Sequence, residues 1–501
     1  MARSAGTCCA GSGGPLSAAE RPELLLTHAY FLGPDRRRRG ALYPLPPLQP
    51  AQVAAWLREK ASARVELWDS TFRRGPSSFE VAVSRVRPAA VWIYTHPTTR
   101  LGAQRMLSAA RRCGAAVLVS GPDSDLNPLL YLEAGADIVV PGDRMEAATL
   151  RALLALRASH HRFTVDSLAQ VPGAVYLDDA YQLCSNGGRV AEIPLDELPW
   201  PEREPVQTRI HLGRWLDHRV PRSLALSSSR GCPLPCGFCS NSVFGRAYRR
   251  RSPESVVAEM RTLADSFAVD RLVFADEVFL FDGHWLAEFA ACLSESGPPL
   301  AFEGSAHPGA LDPASLSALV EAGLVRVELD AASGSDSLLR NLEWGYSPSD
   351  IYRAVADLRS YGLEVGLKVL VGLPGEGRAD LDATLEMVQI IAPAGVEVCR
   401  ADPNSPALFR KDWQRVIAGP VFEAAARLDT LPGPVLDVAA EWMSQLGRAS
   451  GSDPFDQASR YLHRLRIPAL RALLRALPSW PGTAAMEWKR RRRLPGPARK
   501  P

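Results

Sequence analysis

The sequence predicts an α/β protein: a doubly wound, Rossmann-like domain, then a partial (β/α)6 barrel, then a helical C-terminal region. Three observations carry that reading. Short apolar runs alternate with amphipathic segments through 23–165 and again through 223–402. A stretch rich in Pro, Trp and charge separates the two series. Three cysteines then crowd into residues 232–239, directly after the first apolar run of the second series.

Residues 1–22 are small and polar, the composition of a disordered terminus. Apolar runs follow at 24–31, 65–69, 89–94, 115–120 and 137–140, with helical patterns at 51–60, 101–113, 127–134 and 145–156. Strands alternating with helices read as a doubly wound parallel sheet. In such sheets ligands sit beyond the carboxyl ends of the strands. Those ends carry Asp69-Ser-Thr71, Thr95-His-Pro-Thr98, Gly121-Pro-Asp123 and Gly142-Asp143. Small and polar residues there let a ligand approach the backbone closely.

The stretch 166–222, which includes Leu198-Pro-Trp-Pro201, reads as a linker. The second series places strands at 224–228, 271–274, 301–304, 325–330, 365–371 and 396–400. Six strand–helix units suit a partial barrel, with chemistry at the carboxyl ends of its strands. Beyond it, 413–428, 434–446 and 456–477 are helical in pattern, giving a helical region over 403–480 and a basic, proline-containing tail over 481–501.

Composition narrows the setting. A net charge of +3 is too small to imply nucleic acid by itself. Only residues 60, 368, 411, 489 and 500 are lysine, and the arginine excess with abundant Ala and Pro reads as a GC-rich genome. The runs Arg36–Arg39 and Lys489–Arg493 read as a solvated loop and tail before any phosphate or membrane contact. Nine cysteines, scattered outside the cluster, point to a reducing, cytoplasmic protein rather than a disulfide framework. No run of eighteen apolar residues predicts a membrane span, and the N-terminus lacks a signal-peptide layout.

The chemistry is concentrated in Cys232-Pro-Leu-Pro-Cys236-Gly-Phe-Cys239. Three thiolates on a Gly- and Pro-rich loop can converge on one centre. A four-iron cluster held by three cysteines keeps one iron open to an exogenous molecule. A structural zinc site wants a fourth Cys or His at short spacing, and Cys184, His218 and His284 all lie outside it. A fortuitous cluster or closed zinc site is the alternative.

With Ser229-Arg-Gly before it and Gly245-Arg-Ala-Tyr-Arg-Arg-Arg-Ser-Pro-Glu254 after it, this CxxxCxxC resembles the radical S-adenosylmethionine (SAM) superfamily. The N-terminal doubly wound domain and proline-bearing linker make the whole similar to its cobalamin-binding subclass. The resemblance implies a [4Fe-4S] cluster on Cys232, Cys236 and Cys239, SAM on its open iron, and cobalamin on the N-terminal domain. It implies that Phe238 shields the cluster, where a core aromatic is the alternative. Asp276 and Glu277 fall where the superfamily places a polar pair near the SAM amino group; a surface acidic pair is the alternative. Gly372 and Pro374, in Gly372-Leu-Pro-Gly-Glu376, match the segment lining the adenine, although alone that pattern is a strand-to-helix turn. Ser333 and Gly334 match the segment that approaches the ribose and carboxylate. Asp69, Thr71, Thr95, Gly121 and Gly142 are the corresponding cobalamin candidates.

Two departures from the family stand out. Glu328-Leu-Asp330-Ala-Ala332-Ser333 has Asp330 and Ala332 where relatives carry a glycine and a polar residue. Leu26-Thr-His28-Ala-Tyr-Phe31 has neither the Asp nor the Gly of the Asp-x-His-x-x-Gly motif that puts an imidazole on cobalt. The expectation is base-off cobalamin with no histidine from that motif; His28 and His96 are first read as satisfied loop histidines.

The resemblance implies a methyltransferase acting on an unactivated carbon of a small-molecule, natural-product or peptide substrate, with flavodoxin or ferredoxin as electron donor. The alternative is an oxidative cyclase or ring-rearranging enzyme using the same cofactors. A tRNA-modifying relative would carry a second cysteine triad and a C-terminal β-barrel; Cys8, Cys9 and Cys113 lack that spacing, which argues against a nucleic-acid partner. A cobalamin sensor would need an output module, and none is visible.

Overall fold

In a computed structural model, the described residues are 21–32, 44–188, 192–217, 220–234, 236, 247–373 and 375–400. The expected helical region over 403–480, the basic tail and residues 1–20 of the expected disordered terminus lie outside them, as do Cys239, Phe238 and Pro374.

The N-terminal half follows the strand–helix alternation closely. Its elements are β1 (Leu24–His28), α1 (Leu48–Ala61), β2 (Val65–Trp68), α2 (Pro76–Val86), β3 (Ala90–Tyr94), α3 (Arg100–Arg112), β4 (Ala116–Ser120), α4 (Pro122–Leu126), α5 (Pro128–Glu133), β5 (Ile138–Val139) and α6 (Met145–Ala158). The parallel strands stand in the order β2-β1-β3-β4-β5. Strand order therefore reverses beside β1, and the crevice for a ligand opens past the carboxyl ends there.

Successive side chains of a strand point to opposite faces, so a sheet covered on both sides needs apolar residues at every position. Leu24, Leu26, Val65, Leu67, Trp92 and Leu118 pack into one core with α1 and α6. Leu25, Val91, Ile93, Val117 and Val119 pack into the other with α2, α3 and α5. The sequence pattern missed α2, because Gly75-Pro76-Ser-Ser78 reads as a turn and the helix buries only Phe79 and Val83.

The stretch read as a linker contributes more structure than expected. After α7 (Val165–Ala169), β6 (Val175–Leu177) and β7 (Leu183–Ser185) extend the same sheet antiparallel. Asp178 shapes the hairpin turn by accepting from the amides of Ala180 (2.9 Å) and Gln182 (2.8 Å). Strands of three residues among Pro, Gly and charge carry no period long enough to recognise. The helix α8 (Thr208–Asp217) then leads into the barrel series.

That series is β8 (Ser223–Leu226), β9 (Ser229–Arg230), β10 (Arg249–Arg250), α9 (Pro253–Ser266), β11 (Arg271–Phe274), α10 (Gly283–Glu295), β12 (Phe302–Ala306), α11 (Leu316–Ala322), β13 (Leu324–Ala332), α12 (Asp336–Asn341), α13 (Pro348–Ser360), β14 (Glu364–Val371), α14 (Arg378–Ile391) and β15 (Gly395–Arg400). The described residues form two compact units, the second made of 307–309 and 326–400. In the first, β8, β11 and β12 run parallel, each beside the next. Phe274, Phe279, Phe289 and Phe302 fill the space beneath α10 with edge-on and stacked rings. Ser252 and Asp282 cap α9 and α10 at their N-termini. In the second unit β13, β14 and β15 pair in parallel order, with a register shift between Asp330 and Ala332. Together the units supply six strands of the series that the sequence predicted, five of them followed by a helix among the described residues.

Leu26 is fully buried in the α1/α6 core, whereas Leu101 on α3 is 73% exposed. Leu26→Ala is expected to cost about 2–5 kcal/mol in denaturant unfolding, and Leu101→Ala no more than about 0.5 kcal/mol. Equal costs would contradict the assigned sheet faces.

Candidate functional site

The cysteine loop leaves the barrel at the end of β8, and a buried carboxylate holds its start. Asp276, at the end of β11, accepts from the Ser228 amide (3.1 Å), the Ser228 hydroxyl (3.0 Å) and the Ser229 hydroxyl. Burial pushes its carboxyl above the ordinary range, while the serine bonds pull it back. Gly231 follows at φ 79°, and a Cβ there would lie 2.3 Å from the Ala247 carbonyl oxygen. Only glycine fits that approach. Cys232 and Cys236, which come next, are both half-buried.

The two ends of the loop meet in the antiparallel ribbon β9–β10, with Arg249 opposite Arg230 and Arg250 opposite Ser229. Arg251 then donates to the Ser227 carbonyl (3.0 Å) and to Glu259 (2.5 Å), which also pairs with Arg203 (3.0 Å). Arg250 stacks over the Trp285 ring at 3.9 Å. The arginine-rich segment 249–251 is thus internal framework rather than a phosphate-binding run.

Beside the loop lies a cavity of about 210 Å3. One wall comes from the carboxyl edge of the doubly wound sheet: Tyr94, Gly121, Asp125, Gly142 and Asp143. The other comes from Ser229, Arg230, Gly231, Arg249 and Glu277, and Gln49 and Gln52 of α1 complete it. Gly121 (φ 122°) has no room for a side chain, because a Cβ would meet the Thr95 carbonyl oxygen at 2.4 Å. At Gly142 a Cβ would meet Asp125 Oδ2 at 2.7 Å. Asp125 Oδ2 accepts from the Gly142 amide (2.8 Å), and burial first, then Asp143, pushes its carboxyl up to about 7.

The residues singled out from sequence separate into two groups. Gly121, Gly142 and Glu277 reach the cavity. Asp69, Thr71, Thr95 and Asp276 are turned inward and buried. The Thr95 hydroxyl bonds Ser120 O (3.1 Å) and Ser124 Oγ (2.9 Å). Asp69 binds His28 Nε2 (2.9 Å), His211 Nε2 (2.8 Å) and the Thr71 amide (2.9 Å); against burial, which raises it, the two histidines hold its carboxyl far below the ordinary range. His28 is therefore a buried, hydrogen-bonded histidine. His96 caps the short turn Pro97–Thr99 instead, accepting from the Thr98 amide.

In the second unit, Ser333 Oγ pairs with Thr384 Oγ1 (2.9 Å), which also accepts from the Gly334 amide (3.0 Å). Gly334 must be glycine, since a Cβ would lie 2.4 Å from the Ala383 carbonyl oxygen. Ala332, the departure from the family pattern, sits at φ 45°, a left-handed conformation costly for alanine. Gly372 turns at φ 79°, and Glu376 closes that turn by accepting from the amides of Gly372 (2.5 Å) and Leu373 (3.2 Å). Burial raises the Glu376 carboxyl to about 7.

Sequence reasoning missed Tyr94, Asp125, Arg230 and Arg249 on the cavity wall. Arg230 had a signal, its place in the Ser-Arg-Gly segment before Cys232; Asp125 had none beyond its nearness to Gly121.

These features define a class: a flavodoxin-like doubly wound sheet whose ligand edge shares a cavity with a cysteine-bearing loop of a β/α half-barrel series. Residues 226–388 match the family model described as the radical SAM superfamily, so the chain carries a radical SAM domain. Among curated proteins it is similar to an uncharacterised methyltransferase of Pyrococcus horikoshii, 24% identical over 39% of this chain and 42% of that protein. It is also similar to cytidylyl-2-hydroxyethylphosphonate methyltransferase of Streptomyces wedmorensis, 27% identical over 33% of this chain and 32% of that protein. The chain thus spans about a third to two-fifths of the length of these relatives. Among solved structures, the radical SAM methyltransferase TsrM of Kitasatospora setae, with cobalamin and a [4Fe-4S] cluster bound, covers 76% of this chain and 72% of its own at TM-score 0.58 and 19% identity. That likeness shows a shared fold over both the doubly wound and barrel series.

Because the folded Asp125 titrates near 7 against an ordinary 3.8, the folded chain keeps a proton that the unfolded chain has released between those values. Stability contributed at this site falls as pH rises from about 4 to about 7, then levels. Asp125→Asn, which keeps an acceptor for the Gly142 amide, should flatten that fall in melts taken across the window. An unchanged slope would show that Asp125 titrates normally.

Proposed function

We propose that the chain is a cobalamin-dependent radical SAM methyltransferase acting on an unactivated carbon of a small molecule or peptide. One observation carries this reading: the carboxyl edge of the doubly wound sheet and the start of the cysteine loop wall the same cavity. The residues fit the groups concerned. Cys232 and Cys236 stand on a loop whose start is fixed by Asp276 and Gly231, and Cys239 completes the set in sequence. At Gly121 and Gly142 the sheet edge presents bare backbone that a flat macrocycle can approach. His28 is committed to Asp69, which supports a corrinoid that takes no ligand from that histidine.

When bound, the cluster and SAM supply a 5′-deoxyadenosyl radical and the corrinoid carries the methyl group. The chain's own part is placement. Cys232, Cys236 and Cys239 would hold three irons. Glu277, exposed on the cavity wall, would face the SAM amino group, while its neighbour Asp276 anchors the loop. Ser333, Gly334 and the Gly372 turn would shape the SAM surface through backbone. Similarity to two methyltransferases and to TsrM supports methyl transfer over ring formation. No helix among the described residues is long and apolar enough to cross a membrane. The scattered cysteines support a reducing, cytoplasmic setting, and the family resemblance suggests flavodoxin or ferredoxin as the electron donor.

Anaerobic reconstitution with iron, sulfide and hydroxocobalamin tests the reading. The wild-type chain should show the iron–sulfur chromophore, retain a corrinoid through gel filtration and consume SAM under reduction. Cys236→Ala should lose SAM cleavage by at least about a hundredfold, the scale set by removing an essential group. A chain that keeps the iron chromophore and never retains a corrinoid contradicts the cobalamin assignment.

A further inference from the structure

Arg230 immediately precedes Gly231 and Cys232, and it is tied to the N-terminal domain rather than to the barrel. Its guanidinium forks onto Glu146 of α6 (Nη1–Oε2 2.8 Å, Nη2–Oε1 2.5 Å) and donates to Gln52 Oε1 of α1 (2.9 Å). Glu146 is only 1% exposed. On the other strand of the ribbon, Arg249 donates to the carbonyl of Asp143 (3.2 Å), next to Gly142 on the cavity. Both strands that carry the cysteine loop are therefore bonded to the N-terminal domain, one to α6 and α1 and the other to the segment that follows β5.

Buried ion pairs add little net stability, because both charges lose their water. What a planar, two-bond fork adds is direction. We propose that Arg230 is a positioning residue: its fork on Glu146, with Arg249 on Asp143, sets the first cysteine of the loop against the cavity edge where the corrinoid would lie. The inference rests on the cobalamin reading above.

The test is pulsed electron paramagnetic resonance of the reduced cluster beside cob(II)alamin, which reads the cluster–cobalt distance directly. Arg230→Met with Glu146→Leu removes both charges at similar volume and leaves neither partner orphaned. This double variant should assemble its cluster and melt with the wild type, and it is compared after loading with saturating hydroxocobalamin. Its distance distribution should broaden by more than about 0.5 Å, the tolerance of a preorganised site. Exchanging the partners, Arg230→Glu with Glu146→Arg, should narrow it again. If the double variant fails to assemble a cluster, Arg230→Lys carries the same expectation, since it keeps the charge and loses the fork. A distribution as narrow as the wild type's overturns the proposal. If the wild-type chain itself retains no corrinoid, the cobalamin reading fails separately. The clamp is then judged on the linewidth of the cluster signal alone, and an unchanged linewidth in the variant overturns it.

Discussion

The site depends on one buried carboxylate. Asp276 accepts three hydrogen bonds from Ser228 and Ser229, and in doing so it bends the chain out of β8 at the point where the cysteine loop must begin. A buried carboxylate without such donors would be costly, so the serines and the aspartate require one another. Everything downstream is referenced to that corner: Gly231 can approach Ala247 only if Ser229 is held, and the ribbon β9–β10 can pair only if both ends of the loop arrive together.

Further polar networks brace the same corner from outside. Glu259 gathers Arg251 and Arg203, and Glu146 gathers Arg230. Each carboxylate is nearly inaccessible, and Arg251 and Arg230 each fill more than one acceptor, whereas Arg203 meets only Glu259 and leaves Nε and Nη1 buried without a hydrogen-bond partner. Such networks rigidify when fully satisfied and fail badly when one partner is lost. Their cost is consistent with a site where a loop must be placed closely against a second domain, since apolar packing slides more readily than a forked ion pair.

Much of the fold was legible because burial on both faces writes an unbroken apolar run, as at Leu24–Leu26 and Val91–Ile93. The short strands β6 and β7 and the weakly buried α2 left no such trace. At the site, glycines forced by close backbone approach were legible: Gly121 and Gly142 reach the cavity as their positions at strand ends predicted. Polar residues were not. Asp69, Thr95 and Asp276 occupy the same kind of strand end as Glu277, yet all three turn inward. What decides between them is a tertiary partner distant in sequence, such as His211 for Asp69, 142 residues away, or Ser228 for Asp276. Composition at a strand end indicates that a ligand can approach; it does not say which side chains greet it.

The proposed seat of the corrinoid is the carboxyl edge of the doubly wound sheet that walls the cavity beside the cysteine loop. Equilibrium dialysis of hydroxocobalamin against the cluster-loaded chain and a Gln49→Trp variant tests it most directly, because Gln49 is a half-buried residue of α1 on the cavity wall. One corrinoid should bind per wild-type chain, with at least about a tenfold loss of affinity in the variant, about 1.4 kcal/mol, and iron content unchanged. Equal corrinoid affinity in the two proteins would place the ligand away from this sheet edge.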